Sequence, residues 1–162
     1  QEYMYSVMAN ISTTVDYADF ADADLVIEAA SEDMNLKKEV FAELAKVCKP
    51  ETIFATNTSS LSITEIAAIT ARPAQFIGMH FFNPVPAMKL IEVINGMATP
   101  EETTRTIIEL SEKIGKSTPA LRRSQDDAPA FPVRFRNHTM HAERSGHVAP
   151  DNVITENFLI EL

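Results

Sequence analysis

Four short apolar runs separated by amphipathic segments organise the first 118 residues. Leu25-Val26-Ile27 followed by Ala29-Ala30 is continuously apolar and bounded by acidic residues, the pattern of a strand buried on both faces, as in a parallel sheet. From Leu36 the apolar positions Leu36, Val40, Phe41, Leu44 and Val47 recur every three to four residues, with Lys37, Lys38, Glu39, Glu43 and Lys46 between them, which predicts an amphipathic helix stopped at Lys49-Pro50. Thr52 to Thr56 reads as a second strand, leading into a polar turn at Asn57-Thr58-Ser59-Ser60. Ser62 and Glu65 have the spacing of a capping box. Gln75 to Phe81 and Lys89 to Ile94 read as third and fourth strands. Thr99-Pro100-Glu101-Glu102 then opens a helix with a cap, a first-turn proline and a reciprocal glutamate, and Gly115 closes it.

Strand, helix, strand, helix, strand predicts an α/β, doubly wound, Rossmann-like sheet, whose ligands collect beyond the carboxyl ends of the strands. Glu32, Ser59 and His80 all fall at such ends. Residues that converge on one ligand must leave the same edge of a sheet, so the three predict a single site.

The chemistry is concentrated in His80-Phe81-Phe82-Asn83-Pro84-Val85-Pro86 and Leu90-Ile91-Glu92-Val93-Ile94. A carboxylate among such apolar neighbours needs a cation or strong donor, and His80 is the nearest candidate. Twelve residues extend to about 40 Å, so contact requires the chain to reverse. Asn83-Pro84 and Val85-Pro86 supply the reversal, because each proline fixes its own backbone and disfavours helix before it. At ~4 Å and an effective dielectric near 20, an imidazolium beside the carboxylate is worth about 4 kcal/mol. The pair suits general-base catalysis; the same spacing also suits a core histidine that is merely hydrogen-bonded.

Composition narrows the field. With 162 residues, 45% hydrophobic and 23% charged, the chain has globular values and material for one ordinary domain. No apolar stretch approaches the ~18 residues that span a bilayer, and no secretory signal precedes the first strand. A net charge of −9 opposes binding to nucleic acid or an anionic membrane. The single cysteine, Cys48, allows no internal disulfide and fits a reducing, cytoplasmic setting; its place at a helix end predicts a buried thiol. Asp16, Asp19, Asp22 and Asp24 lack the glycine and terminal glutamate of a calcium loop and read as a solvated connector.

Three stretches taken together carry a resemblance: Asp24 to Glu32, Thr56 to Leu61, and Gly78 to Ile94. In order and without a gap from about Ile11 to Lys116, the chain resembles the 3-hydroxyacyl-CoA dehydrogenases, and within them the monofunctional 3-hydroxybutyryl-CoA branch. The resemblance implies oxidation of a 3-hydroxyacyl-CoA to the 3-ketoacyl-CoA with NAD as cofactor. It implies that His80 takes the hydroxyl proton, Glu92 orients the ring, Ser59 hydrogen-bonds the reacting oxygen, and Ser59 and Asn83 seat nicotinamide and substrate. Glu32 and Lys37 would contact the nicotinamide-side ribose. Without the resemblance, Lys37 reads as a surface helix lysine and Ser59 as a turn former.

The departures define the rest. The four glycines, Gly78, Gly96, Gly115 and Gly146, form no G-x-G-x-x-G turn, so the first βαβ unit that cradles the pyrophosphate is lacking. The resemblance further implies a helical domain through which family members dimerise, and no counterpart to it is expected within these 162 residues. Residues 1–15 are expected to be the remnant of a preceding helix, 16–118 the second half of the NAD-binding domain, and 119–162 a divergent tail, disordered or out of frame. The tail has Ala128-Pro129-Ala130-Phe131, then Arg134 where the family pattern has an active-site asparagine. All seven lysines precede residue 117, whereas five of seven arginines and three of four histidines follow it. His138, His141 and His147 could instead hold zinc, although no regular element aligns them. Three readings result: part of a monofunctional dehydrogenase, part of a bifunctional β-oxidation enzyme, or a non-catalytic domain that keeps the fold.

Overall fold

The computed structural model describes residues 2–118 in full, and 121–123 and 159–161 through their backbone pairing. The elements run α1 (Glu2–Met8), β1 (Leu25–Glu28), α2 (Met34–Val47), β2 (Ile53–Thr56), α3 (Ile63–Ala67), β3 (Phe76–Phe81), β4 (Ile91–Asn95), α4 (Glu101–Lys113), β5 (Leu121–Arg123) and β6 (Leu159–Glu161). The strands form one sheet in the order β5-β4-β3-β2-β1-β6. β1, β2 and β3 are parallel; β4 turns back antiparallel to β3, β5 runs parallel to β4, and β6 lies antiparallel along β1.

Period-two alternation sends successive residues of each strand to opposite faces, and both faces are covered by helix. On one face Val26, Phe54 and Phe76 pack against Val40, Phe41 and Leu44 of α2 and Ile63 and Ile66 of α3. The Phe41 ring stands edge-on to Phe76 at 4.6 Å and tilted to Phe54 at 5.5 Å. On the other face Leu25, Ile27, Ala55, Ile77, Met79, Ile91 and Val93 meet Ile107 of α4. Two-sided burial is why β1 and β2 read as continuous apolar runs. The result is the α/β, Rossmann-like architecture expected.

Gly78 brings α3 against the sheet: a Cβ there would lie 2.8 Å from Ile63 Cδ1 and 2.9 Å from Ile94 Cβ. Asp33 caps α2 by accepting the Leu36 amide at 2.9 Å, and Cys48, extended and buried, ends it. Asp16 caps a short 3-10 turn at Tyr17–Phe20, so part of the acidic connector is ordered by its own side chains.

Two expected caps take other forms. Thr99 does not cap α4; its hydroxyl donates to Phe76 O at 2.7 Å and accepts the Gly96 amide at 2.9 Å, while Pro100 holds the cap position without a side-chain bond. Ser62 accepts the Glu65 amide at 3.2 Å, whereas the Glu65 carboxylate pairs with Lys38 of α2. The sheet also continues past residue 118 into β5. α1 buries no residue, and Tyr3, Met4, Tyr5 and Met8 are exposed. Among the described residues no helix is long and apolar enough to cross a membrane.

Candidate functional site

Because β1, β2 and β3 are parallel, their carboxyl ends open on one edge of the sheet, and the segments 29–33, 57–62 and 82–90 gather there. Beneath that edge lies an ion pair that neither composition nor spacing suggested. Glu28, the last residue of β1, and Lys37 of α2 are both fully buried, with Lys37 Nζ 2.8 and 3.0 Å from the two carboxylate oxygens. The remaining polar capacity of the pair is used as well: Glu28 accepts the Thr56 hydroxyl and the Ala30 amide, both at 2.6 Å, and Lys37 donates to Ala30 O at 3.3 Å and Asn57 O at 3.5 Å. Buried charge is tolerated when it is met this completely.

Glu32 and Ser59 are brought together one layer further out. Glu32 Oε1 accepts the Thr58 hydroxyl at 2.6 Å, the Ser59 and Ser60 amides at 2.9 and 3.1 Å, and, more loosely, the Ser60 and Ser59 hydroxyls at 3.2 and 3.4 Å. Partial burial alone would raise this carboxyl, but the Thr58 hydroxyl, the two amides and the Lys37 charge outweigh it and hold Glu32 below the ordinary glutamate value. Among the described residues all five bonds fall on Oε1, which leaves the second oxygen to face a ligand.

His80 and Glu92 stand directly opposite each other in the antiparallel β3–β4 register. Phe76, Gly78 and His80 alternate toward the face that carries α3, as do Glu92 and Ile94, so the two side chains meet: His80 Nδ1 lies 3.1 Å from Glu92 Oε2. They are 20% and 22% exposed, so the carboxylate is less desolvated than its apolar neighbours implied. The tautomer that matches this contact has Nδ1–H donating to the carboxylate, which leaves Nε2 as an acceptor. Phe82 packs on the ring, centroid to centroid 4.7 Å.

The other expected positions fall differently. Asn83 lies exposed in the loop after His80, and no hydrogen bond among the described residues joins it to the rest of the site. Lys37 is no surface lysine; its ammonium sits behind Ala30 and Asn57, wholly inside. Glu28 and Asn57 were missed. The rule that a strand carboxylate among apolar residues needs a cation applies to Glu28 more strictly than to Glu92, and would have pointed to Lys37 nine positions on. Among the described residues no cluster of three or more His, Cys, Asp or Glu could hold a metal. His138, His141, His147, Arg134 and the Ala128–Phe131 turn lie outside the described residues.

Comparison with known proteins gives one consistent family. The profile of the 3-hydroxyacyl-CoA dehydrogenase NAD-binding domain matches residues 1–123. The 3-hydroxybutyryl-CoA dehydrogenase of Clostridioides difficile is 58% identical over 110 residues, 68% of this chain and 39% of that protein. The crystal structure of (S)-3-hydroxybutyryl-CoA dehydrogenase from Ralstonia eutropha superposes with a TM-score of 0.74 at 40% identity, covering 82% of this chain and 46% of that one. A peroxisomal bifunctional enzyme of Cavia porcellus is 55% identical over 98 residues, 14% of its length. The chain thus spans less than half the length of the curated relatives it matches.

Proposed function

Since the chain belongs to the 3-hydroxyacyl-CoA dehydrogenase family, we propose that it is the second half of the NAD-binding domain of an enzyme that oxidises a 3-hydroxyacyl-CoA, specifically 3-hydroxybutyryl-CoA, to the 3-ketoacyl-CoA. The observation that carries the proposal is the His80–Glu92 contact at the same sheet edge as the Glu32-anchored Ser59 turn. The domain division follows the same reading: 1–15 a remnant of the preceding segment, 16–118 the half-domain, 119–162 a divergent tail, of which 121–123 and 159–161 nonetheless pair with the sheet. The protein would act in the cytoplasm.

The described residues fit the nicotinamide side of the cofactor. NAD, when bound, accepts the hydride that leaves the substrate carbinol carbon. Glu32 would meet the adjoining ribose with its second oxygen, whereas Lys37, expected to touch the ribose too, is fully buried with its ammonium spent on Glu28, Ala30 O and Asn57 O, and would instead support that wall from behind. Ser59 and Asn83 bound the space for nicotinamide and substrate. His80 Nε2 takes the hydroxyl proton, Glu92 holds Nδ1–H and stabilises the imidazolium that forms, and the Ser59 hydroxyl donates to the reacting oxygen. The adenosine side needs a Gly-rich turn that the four glycines do not form. The 162-residue chain alone is therefore expected to bind NAD weakly and to turn over negligibly.

The test is a chimera in which residues 16–118 replace their counterpart in the Clostridioides difficile relative. Production of NADH from NAD and 3-hydroxybutyryl-CoA is expected, and its loss in His80→Ala. A folded chimera that binds NAD yet forms no NADH overturns the reading. Membership in a bifunctional protein, favoured by the Cavia porcellus match, leaves the chemistry unchanged and is decided by the complete reading frame.

A further inference from the structure

The sheet has an unequal end at the site. β2 stops at Thr56, whose partner is Gly78, whereas β3 continues to Phe81 with, among the described residues, only β4 beside it, His80 opposite Glu92 and Phe81 opposite Ile91. Beyond Gly78 the β2 side of β3 has lost its strand neighbour. The Phe81 amide donates into that gap, and the acceptor is Asn57 Oδ1 at 2.9 Å. This amide belongs to the planar peptide unit that begins at the His80 carbonyl carbon, so the bond fixes the orientation of the peptide carrying the imidazole.

Asn57 is itself held on both sides of its side chain. Its backbone amide donates to Glu28 O at 2.7 Å, and its backbone carbonyl accepts from the buried Lys37 ammonium at 3.5 Å. It belongs to neither apolar cluster. Its bonds run instead from the buried Glu28–Lys37 pair to the Phe81 amide of the His80–Phe81 peptide.

We propose that Asn57 is a positioning residue for His80: its side-chain oxygen replaces the missing strand neighbour of β3 and holds the His80–Phe81 peptide so that Nδ1 stays against Glu92. The role in turnover rests on the reading of His80 as the base. Without the acceptor the half-buried N–H is unsatisfied and the peptide is free to rotate toward water. The 3.1 Å contact between His80 and Glu92 leaves little slack before it ceases to be a hydrogen bond.

The experiment is NMR on the isotopically labelled 162-residue chain. Wild type and Asn57→Asp, which keeps an acceptor, are expected to show a through-hydrogen-bond coupling between the Phe81 amide nitrogen and the side-chain carbon of residue 57. Both should show His80 as a single Nδ1–H tautomer by its ring nitrogen shifts. Asn57→Ala is expected to lower Phe81 exchange protection about tenfold or more and to bring in the second tautomer, with Val26 and Ile77 amides as protected as in wild type. Absence of the coupling in wild type overturns the proposal, as does a single Nδ1–H tautomer in folded Asn57→Ala. Should Asn57→Ala not fold, a temperature series on wild type decides: loss of the coupling while the tautomer holds overturns the proposal, and their joint loss supports it. None of these readings needs turnover. An inactive chimera with the coupling intact counts against the dehydrogenase reading alone; an active chimera, with the coupling missing from the chain, counts against Asn57 alone.

Discussion

Replacing Lys37 by Met removes the cation that, among the described residues, meets the fully buried Glu28 carboxylate. In Lys37→Met, Glu28 keeps the Thr56 hydroxyl and the Ala30 amide but loses its counter-ion and two bonds. Breaking such a pair from one side costs about 3–5 kcal/mol, a large part of the ~5–15 kcal/mol that holds a domain folded. Removing both charges in Glu28→Leu/Lys37→Met abolishes the uncompensated charge but orphans the Thr56 hydroxyl, the Ala30 amide and two carbonyls. Solvent and small shifts can re-satisfy some of these four groups, so at about 1 kcal/mol or less each their loss totals about 2–4 kcal/mol. The two singles should therefore sum to about 6–10 kcal/mol and the double to much less, leaving a coupling of several kcal/mol in a double-mutant cycle. Urea unfolding followed by circular dichroism measures all four chains. Additivity within about 0.5 kcal/mol, or a Lys37→Met loss below ~1 kcal/mol, would show that the pair is not closed off from water as described.

In the chimera, Glu92→Gln keeps a hydrogen-bond acceptor and removes the charge; a loss of about 1–4 kcal/mol at an effective dielectric between 80 and 20 predicts a fall in kcat of roughly 5-fold to 10³-fold, and an unchanged kcat would deny Glu92 its role. The Glu32 carboxyl lies below its ordinary value of 4.5 in the folded chain, so its hold on the 58–60 turn is fully present above that value and is lost as pH falls through the lowered one. Protection factors of the Ser59 and Ser60 amides should follow this course, and an identical acid dependence in Glu32→Gln would contradict it. Gly78→Ala should destabilise by about 1–3 kcal/mol, because the Ile94 Cβ on the neighbouring strand must move along with Ile63; an unchanged urea midpoint would mean that α3 yields freely.

Periodicity made the parallel strands and α2 legible, since two-sided burial leaves continuous apolar runs and one-sided helix burial leaves a three-to-four repeat. The two prolines after Asn83 made the hairpin legible, and with it the approach of His80 to Glu92. Register was not legible, because facing pairs depend on how β3 and β4 slide together and not on the loop composition. Local cap signals failed where a distant partner bid for the same group. Thr99 is taken by Phe76 O, 23 residues away, and Glu65 by Lys38, 27 residues away. Asn57 resembled any polar turn residue, and its importance became visible only when β2 proved three residues shorter than the reach of β3.

The cross-strand placement of His80 and Glu92 has a bearing on how such a site can be remodelled. Their meeting is indexed by the ladder, so lengthening or trimming the 83–89 excursion leaves them facing each other, whereas deleting one residue within 93–95 would turn Glu92 toward the α4 side. The length of the excursion can therefore vary without parting the two side chains, because their pairing is held by the strands on either side of it and not by the loop.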